Sequence, residues 1–349
     1  MTERGMITLN EIMSQPDIWA QTLDVFAEQA AALTDWWRSE QFEQVILTGC
    51  GSTYYLAMIG AELIQAATGV PARAFTASEL MLYPETHLAS PRKTLLLPVS
   101  RSGVTRESVE AARLFHQFGR GAVLVVTCHG DSPLAVEADR VVALDHARED
   151  SRVQTRSFSS MMLTLMALAP ALAGRDELPA LRTLPDHLAR LFQQYGGSMR
   201  SLGADRGITQ FAFLASGPLY GLAAEVMLKM TEMSHVFSTA FHTLEYLHGP
   251  RYVLDDGALV IAMVADAAYD EDVAALRQLA DRGVRLLILA DEARGGTPEG
   301  WSTLITLESG LPVQTGALLY LPLLQLVAHG QGVSRGYDPD NLNHPPVAV

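Results

Sequence analysis

The chain has 349 residues, enough for about two domains with a large buried core. Its net charge of -14 and its isoelectric point near 5.1 argue against nucleic acid or an anionic membrane as a partner. The two cysteines, Cys50 and Cys128, form no disulfide framework or zinc-type cluster, and the first residues lack the apolar core of a signal peptide. We therefore expect a cytoplasmic protein without a structural metal.

Strands and helices alternate in the first half of the chain, after a helix predicted over Leu9–Ser39. The apolar run Met161–Leu172 is interrupted by Pro170 and is too short to span a bilayer, so it predicts a buried helix. Near-continuous apolar runs predict five strands, at Gln44–Thr48, Arg73–Thr76, Thr94–Val99, Ala122–Thr127 and Arg140–Leu144. Further helices are predicted around Tyr54–Ala67, Thr105–Phe118, Ser132–Ala138, Ser159–Leu172 and Leu178–Tyr195.

A second alternation follows, and it repeats features of the first. Gly49–Tyr54 and Ser216–Tyr220 each follow a strand and precede an apolar helix, so the two halves resemble copies of one α/β unit. Glycines and polar residues between Gln194 and Gly207 predict a linker. The pattern predicts an α/β protein with two parallel sheets, each covered by helices on both faces. The second set of strands is predicted at Thr209–Ala215, Val236–Ala240, Ala258–Val264, Arg285–Leu289 and Thr303–Leu307.

The loop Ser100–Thr105 carries three hydroxyls and one glycine between a predicted strand and a predicted helix. The N-terminus of a helix offers unpaired backbone N–H groups and a partial positive charge, which together hold a phosphate with little side-chain charge. Arg101 within the loop is either a phosphate contact or a solvated arginine. The loop is therefore a candidate cradle for a sugar phosphate.

Two further polar segments are candidates for the same pocket. The turn Gly49–Thr53 has two glycines and two hydroxyls, and glycine lets a backbone approach a ligand closely. The alternative interpretation of this segment is an ordinary turn between a strand and a helix. The run Thr155–Ser160 heads the apolar helix, and its alternative is helix capping by serines.

A helix is predicted to start at Ser216 or Gly217, with Pro218 in its first turn. Three charged residues, Glu225, Lys229 and Glu232, fall on one face of it. A solvated stripe with a routine ion pair is the simpler interpretation. The residues between them are mostly apolar, however, and charges on a buried helix are costly unless they line a cleft. We therefore favour a functional role.

His248 lies in a predicted turn before Gly249 and Pro250, where an exposed, inert histidine or a proton-transfer group are the alternatives. His235 and His242 are expected to be structural. Cys50 lacks a His/Asn pattern that would support a nucleophile, so a buried turn thiol is the preferred interpretation.

Five motifs together resemble the sugar isomerase (SIS) family, and in particular the isomerase half of glutamine–fructose-6-phosphate transaminase. The resemblance implies two tandem SIS domains and a sugar 6-phosphate ligand. It also implies a homodimer with shared active sites, in which the histidine of one chain completes the site of the other. The motifs run in the family's order along almost the whole chain: Met13–Pro16, Cys50–Tyr54, Ser100–Thr105, Leu228–Glu232 and Glu245–Pro250.

The same resemblance assigns roles residue by residue. Glu232 would move a proton between C1 and C2 of the sugar, and His248 would open and close the sugar ring. Lys229 would lie beside Glu232, and Glu225 would line the pocket. Arg101 stands where the transaminase has glutamine. The phosphate would be bound by residues of the first half: Gly51, Ser52, Thr53, Ser100, Arg101, Ser102 and Thr105.

Two departures from the transaminase narrow the expected function. A glutaminase domain with its initial cysteine is missing from the sequence, and Asn343 or His344 falls where the family's C-terminal lysine would stand. We therefore expect a stand-alone phosphosugar isomerase or isomerising deaminase that acts, without a metal or cofactor, on a hexose 6-phosphate or its amino or N-linked derivative. The alternative is a non-catalytic sugar-phosphate sensor.

The expected domain organisation follows from these assignments. It comprises an N-terminal helical segment (1–40), a phosphate-binding SIS domain (41–195), a catalytic SIS domain (205–335) and a C-terminal tail over the site (336–349).

Overall fold

A computed structural model describes residues 4–292, 294 and 302–342. The chain divides into two compact units. The first-sheet unit contains residues 15–149 and 156–185. The second-sheet unit contains residues 4–14, 150–155 and the described residues from 186 onward.

The first-sheet unit alternates strands with helices, as its sequence predicts. Each observed strand agrees with its predicted counterpart to within one residue at either end. The strands are β1 (Gln44–Gly49), β2 (Ala72–Thr76), β3 (Thr94–Ser100), β4 (Gly121–Thr127) and β5 (Arg140–Ala143). With α1 (Met6–Met13) assigned to the other unit, the helices are α2 (Gln15–Glu40), α3 (Ser52–Thr68), α4 (Ala77–Leu82), α5 (Pro84–His87), α6 (Arg106–Phe118), α7 (Pro133–Val136), α8 (Arg156–Leu172) and α9 (Leu178–Leu181).

The five strands form one parallel sheet in the order β2-β1-β3-β4-β5. One face is packed with apolar side chains from the strands and from α4 and α6, among them Ile46, Leu80, Leu96 and Phe115. Helix α8 is buried along nearly its whole length, and Pro170 lies in its last turn, two residues before the helix ends. The buried helix predicted here is confirmed.

The second-sheet unit repeats this arrangement. Its strands are β6 (Gln210–Ala215), β7 (Phe237–His242), β8 (Ala258–Val264), β9 (Arg285–Ala290) and β10 (Ser302–Thr306). Its remaining helices are α10 (Leu184–Gly203), α11 (Tyr220–Ser234), α12 (Tyr269–Ala280), α13 (Val313–Gly316) and α14 (Tyr320–Ser334). The first residues of α10 precede the boundary between the units at Asp186.

The second sheet is also parallel, in the order β10-β9-β8-β6-β7. Read from the other edge, this order is the same as that of the first sheet, with β6 in the place of β1 and β8 in the place of β3. The expected fold class, α/β with two parallel sheets that are each flanked by helices, is confirmed.

Two local predictions were wrong. The region between Gln194 and Gly207 is not an irregular linker, because α10 continues through it to Gly203. Close packing explains why the helix has a glycine at position 203, since a Cβ on Gly203 would lie 2.0 Å from the carbonyl oxygen of Val327. The long first helix is also two helices, which meet at Ser14.

The described residues contain no helix that is long and apolar enough to cross a membrane. Within the same ranges, no group of three His, Cys, Asp or Glu side chains is arranged to hold a metal ion.

Candidate active site

The turn after β1 is closed by its own side chains. The Thr53 hydroxyl accepts from the Cys50 N–H (2.9 Å) and donates to the Cys50 carbonyl (3.0 Å). Gly51 has a φ of +56°, and a Cβ on Gly49 would lie 2.5 Å from the Thr53 carbonyl oxygen. Thr53 shapes this turn, because its hydroxyl hydrogen is already donated within it. Ser52 beside it is buried, with 4% of its surface exposed.

The loop Ser100–Thr105 presents hydroxyls that accept from the loop's own backbone. Ser100 Oγ accepts from the Gly103 N–H (3.1 Å) and Ser102 Oγ from the Val104 N–H (3.4 Å). Each hydroxyl hydrogen is therefore left to donate to an anion. Thr105 is the N-cap residue of α6, and its side chain makes no capping hydrogen bond. The first N–H groups of α6 also lack partners within the helix.

Both segments stand at the carboxyl ends of neighbouring strands. β1 and β3 are adjacent, and the chain leaves β1 toward β2 on one side and returns to β3 on the other. Open α/β sheets bind ligands at this kind of switch point in strand order. The structure thus brings Gly51, Ser52 and Thr53 to the same edge of the sheet as the Ser100–Thr105 loop.

A buried carboxylate, Glu149, holds this edge together. Its side chain is fully buried, pairs with Arg101 (Nη1 to Oε2, 3.5 Å) and accepts from the Ser157 N–H (3.2 Å). The Ser157 hydroxyl also donates to it. Ser159 meanwhile accepts from the Trp19 indole (2.8 Å). These two serines of the Thr155–Ser160 run therefore bond to protein groups at the start of α8.

Sequence reasoning missed Glu149, because nothing distinguishes it from the charged residues Arg148 and Asp150 beside it. Its position shows why Arg101 is held in the loop. The guanidinium is fixed by a carboxylate of the same unit, so a phosphate would share it with Glu149.

The two cysteines show no sign of a nucleophile. Burial raises the pKa of the Cys50 thiol, whose sulfur lies 3.8 Å from the Ser108 hydroxyl. Burial also raises the pKa of Cys128, which is completely enclosed. Both therefore stay protonated at neutral pH, as expected for thiols that fill space.

Helix α11 of the second-sheet unit carries the predicted row of charges on one face. Lys229 Nζ lies 3.5 Å from Glu225 Oε1 and 2.5 Å from Glu232 Oε2. The side chains of Lys229 and Glu225 are buried, whereas that of Glu232 is 31% exposed. Most other residues of α11 are apolar and buried, whereas Met227 and Leu228 are half-buried and Thr231 is exposed. Of the three charged groups, Glu232 is the one that solvent or a ligand can reach, and the expected role of Glu225 in lining the pocket stays a prediction.

The histidines of this unit differ in their surroundings. His248 ends the 3-10 turn Glu245–His248 and is exposed, so its role in opening a sugar ring stays a prediction. His242 stacks on Tyr220 (3.9 Å between ring centroids), and His235 packs on Tyr337 (4.2 Å). The latter two have the packing contacts expected of structural side chains.

The switch point of the second sheet, between β6 and β8, has a different chemistry. The segment after β8 is the 3-10 turn Asp266–Ala268, and helix α12 follows it. Asp272 on α12 is buried and accepts from the Ser216 hydroxyl after β6 (2.7 Å). Burial raises the pKa of Asp272, an effect that the hydrogen bond from Ser216 opposes. Sequence reasoning also missed this buried carboxylate, which lies in the acidic first turn of its helix.

The C-terminal segment bonds to the start of α1. Asp338 accepts from the Gly5 N–H (2.9 Å), and Asp340 accepts from the N–H groups of Ile7 (3.0 Å) and Thr8 (2.8 Å). Asn343 and His344, named above as replacements for a lysine, lie outside the described residues.

These features define an α/β protein with a hydroxyl-rich loop at the edge of its first sheet and a carboxylate–ammonium pair on a helix beside its second. The family model described as "SIS domain" matches residues 40–172. Residues 40–172 therefore match the SIS domain family that the sequence motifs predicted.

Two curated relatives cover nearly the whole chain. A glutamine–fructose-6-phosphate aminotransferase from Methanothermobacter thermautotrophicus is 23% identical over 97% of this chain, which spans 57% of that relative. The chain thus covers little more than half of such aminotransferases. A Streptomyces coelicolor protein, with a proposed activity as a D-galactosamine-6-phosphate deaminase, is 29% identical over 96% of this chain and 90% of its own length.

Solved structures show the same fold. The tagatose-6-phosphate ketose/aldose isomerase from Escherichia coli superposes with a TM-score of 0.87 at 24% identity, covering 95% of this chain and 94% of its own. The glucosamine-6-phosphate deaminase from Thermotoga maritima gives a TM-score of 0.77 at 24% identity, covering 95% and 96%.

Proposed function

We propose that the chain is a phosphosugar isomerase or isomerising deaminase that acts on a hexose 6-phosphate or its amino or N-linked derivative. The observation that carries the proposal is the arrangement on α11, where the partly exposed Glu232 carboxylate is bound to the buried Lys229 ammonium. Burying Lys229 and Glu225 costs free energy that a surface ion pair would not. A cost of this kind favours a functional role for the group over a purely structural one.

The phosphate end of the substrate is assigned to the first-sheet unit. The Ser100 and Ser102 hydroxyls and the N–H groups that open α6 are suited to a phosphate dianion in an otherwise acidic protein. Arg101, held by Glu149, would add one positive charge. The names of the relatives, which refer to sugar 6-phosphates, support the same substrate class.

In the proposed reaction His248 opens the pyranose ring. Glu232 then removes the proton from C2 of the aldose. The electron pair forms a C1–C2 double bond while the C1–O double bond opens and O1 takes up a proton, which gives an enediol. Return of a proton to C1, with loss of the proton from O2 as the C2 carbonyl forms, gives the ketose. With a 2-amino sugar the same transfer gives an imine at C2, and water adds to that carbon as ammonia leaves.

The test is hydrogen exchange in deuterium oxide, at C2 of glucosamine 6-phosphate and at C1 of fructose 6-phosphate, alongside an assay for ammonia. Glu232→Gln is expected to slow exchange by about 10²- to 10⁴-fold, because a general base is lost, while substrate affinity changes by no more than a few fold. Glu271→Gln, a substitution of an exposed glutamate on α12, is the matched control and leaves exchange unchanged.

A second variant separates binding from proton transfer. Ser100→Ala combined with Ser102→Ala removes two donors and is expected to weaken sugar-phosphate binding by at least about tenfold. Unchanged exchange in Glu232→Gln would refute the enzymatic proposal. Tight binding by the wild-type chain without any exchange or ammonia release would instead favour the sensor.

The homodimer with shared active sites and the cytoplasmic location remain predictions. Light scattering at several concentrations tests the first of these. Mixing Glu232→Gln with His248→Ala chains would restore part of the activity if sites were shared.

A further inference from the structure

A cavity of about 550 Å³ lies at the opposite end of β1 from the Gly51–Thr53 turn. This volume is within the range of small-molecule sites. We name it the β1–β2 cavity. It is lined by strand residues Gln44, Val45, Ile46, Pro71, Arg73 and Phe75, and by Thr86, His87, Ser90 and Arg92.

The cavity exists because one part of the sheet is left thinly covered. Side chains alternate along a strand, so Arg73 and Phe75 point to the same face of β2, and Ile46 pairs with Arg73 in register. Further along this face α4 and α6 pack onto the sheet. Near the strand starts the cover is only the four-residue helix α5 and the loop that follows it.

The cavity is basic in a protein whose net charge is -14. Among the described residues, no side chain forms an ion pair or hydrogen bond with the guanidinium of Arg73 or of Arg92, and no carboxylate is in the lining. Glu79 lies 3.6 Å from Nε2 of His87. Two unpaired guanidinium groups at one opening favour an anion with several oxygens.

One wall of the cavity is aromatic. The ring of His87 packs on Phe75 with 4.4 Å between centroids, and Ile46, on the same face of the sheet as Phe75, adds an apolar floor. The hydroxyls of Thr86 and Ser90 stand among the basic groups. A flat ring system attached to a phosphate would match both the wall and the guanidinium groups.

We propose that the β1–β2 cavity binds an organic phosphate that carries a ring, up to the size of a nucleoside monophosphate. Arg73 and Arg92 bind the phosphate, and the ring lies against Phe75 and His87. The site is separate from the Ser100–Thr105 loop, which stands at the other end of the strands of the same sheet.

The test is calorimetric titration of the full chain with adenosine monophosphate and, separately, with inorganic phosphate. Adenosine monophosphate is expected to bind, and inorganic phosphate to bind at least about tenfold more weakly because it leaves the aromatic wall unused. Arg73→Ala and Arg92→Ala are each expected to weaken nucleotide binding by at least about tenfold. Arg175→Ala, which removes an exposed arginine elsewhere in the unit, is the control and leaves it unchanged.

A further variant excludes binding at the phosphate loop. Ser100→Ala combined with Ser102→Ala is expected to keep the affinity for adenosine monophosphate. The proposal is overturned if this double variant abolishes nucleotide binding, if the nucleotide does not bind the wild-type chain, or if Arg175→Ala weakens binding as much as the cavity variants. Equal affinities for the nucleotide and inorganic phosphate would also overturn it. Because Arg73 and Arg92 are exposed, circular dichroism is expected to show all variants folded.

Discussion

Helices α3 and α11 occupy equivalent places in the two sheets, since each follows the strand at which the strand order reverses. Their buried faces differ. Helix α3 buries aliphatic side chains such as Leu56 and Ile64, whereas α11 buries Glu225 and Lys229 among its apolar residues. The same scaffold position is therefore filled by ordinary packing in one unit and by an ionic group in the other.

The loops at the two switch points also differ, in the charge of the ligand that they favour. The first sheet has a hydroxyl-rich loop that leaves donors for an anion, and the second has a buried carboxylate, Asp272, bonded to Ser216. A negative ligand is favoured at the first and disfavoured at the second. Strand order thus decides where a site can form, and a few side chains decide what it binds.

Removing the buried cation would test the contrast between α3 and α11 most severely. Lys229→Met gives α11 an aliphatic side chain of the kind found on α3, but it leaves the Glu225 carboxylate buried without the ammonium. We expect the free energy of unfolding, measured with urea, to fall by about 3–5 kcal/mol. Glu225→Gln added to Lys229→Met is expected to recover much of that loss. Equal stability of Lys229→Met and the wild type would show that the ionic group is not a buried unit.

A smaller effect on the free energy of unfolding is expected for a substitution at Gly103, in the loop Ser100–Thr105. Gly103 has a φ of +62°, and a Cβ there would lie 1.9 Å from Ser132 Oγ. Gly119 has a φ of +61°, with nothing within 4 Å of such a Cβ. Gly119→Ala is expected to cost about 1–2 kcal/mol of unfolding free energy from its backbone conformation alone. Gly103→Ala is expected to cost at least about 1 kcal/mol more and to weaken sugar-phosphate binding. Similar costs for the two variants would show that the loop can relax away from Ser132.

The smallest effect concerns Asp272 and depends on pH. Because burial raises its folded-state pKa, the folded protein binds more protons than the unfolded chain between the usual aspartate range and that raised value. Stability from this group is therefore lost as the pH rises through that window. Asp272→Asn keeps an oxygen for Ser216 and has no such loss, so its advantage in unfolding free energy is expected to grow from acid toward neutral pH. Glu271→Gln is the control, and a pH-independent difference for Asp272→Asn would contradict the assignment.

The sequence predicted most of the fold because parallel strands buried on both faces leave long apolar runs. β8 was predicted at its observed bounds, and the other strands differ by one or two residues at an end. The break at Ser14 has a sequence signal that the prediction overlooked, because Pro16 lies in the first turn of α2, where a proline is tolerated, and it disfavours a helix that continues through the preceding residues. The continuation of α10 through Gly196 and Gly197 depends on tertiary packing, which outweighs local propensity.

For the candidate site, the sequence indicated the loops and the α11 charges because hydroxyls, glycines and i, i+4 spacing are local signals. It could not indicate Glu149 or Asp272. Each of these carboxylates bonds to a residue that is distant in sequence or belongs to another element, and only the fold brings them together.

The bonds between the start of α1 and residues 338–340 have a consequence for how the polypeptide is assembled. A ribosome produces residues 4–14 first, yet the acceptors for the Gly5 and Thr8 N–H groups emerge more than 300 residues later. The unit that these residues complete cannot close during early synthesis, so the first-sheet unit, whose last residue is 185, has the opportunity to fold before it. A single cut of the chain between the two sheets would therefore leave α1 and residues 338–340, which accept its hydrogen bonds, on different fragments.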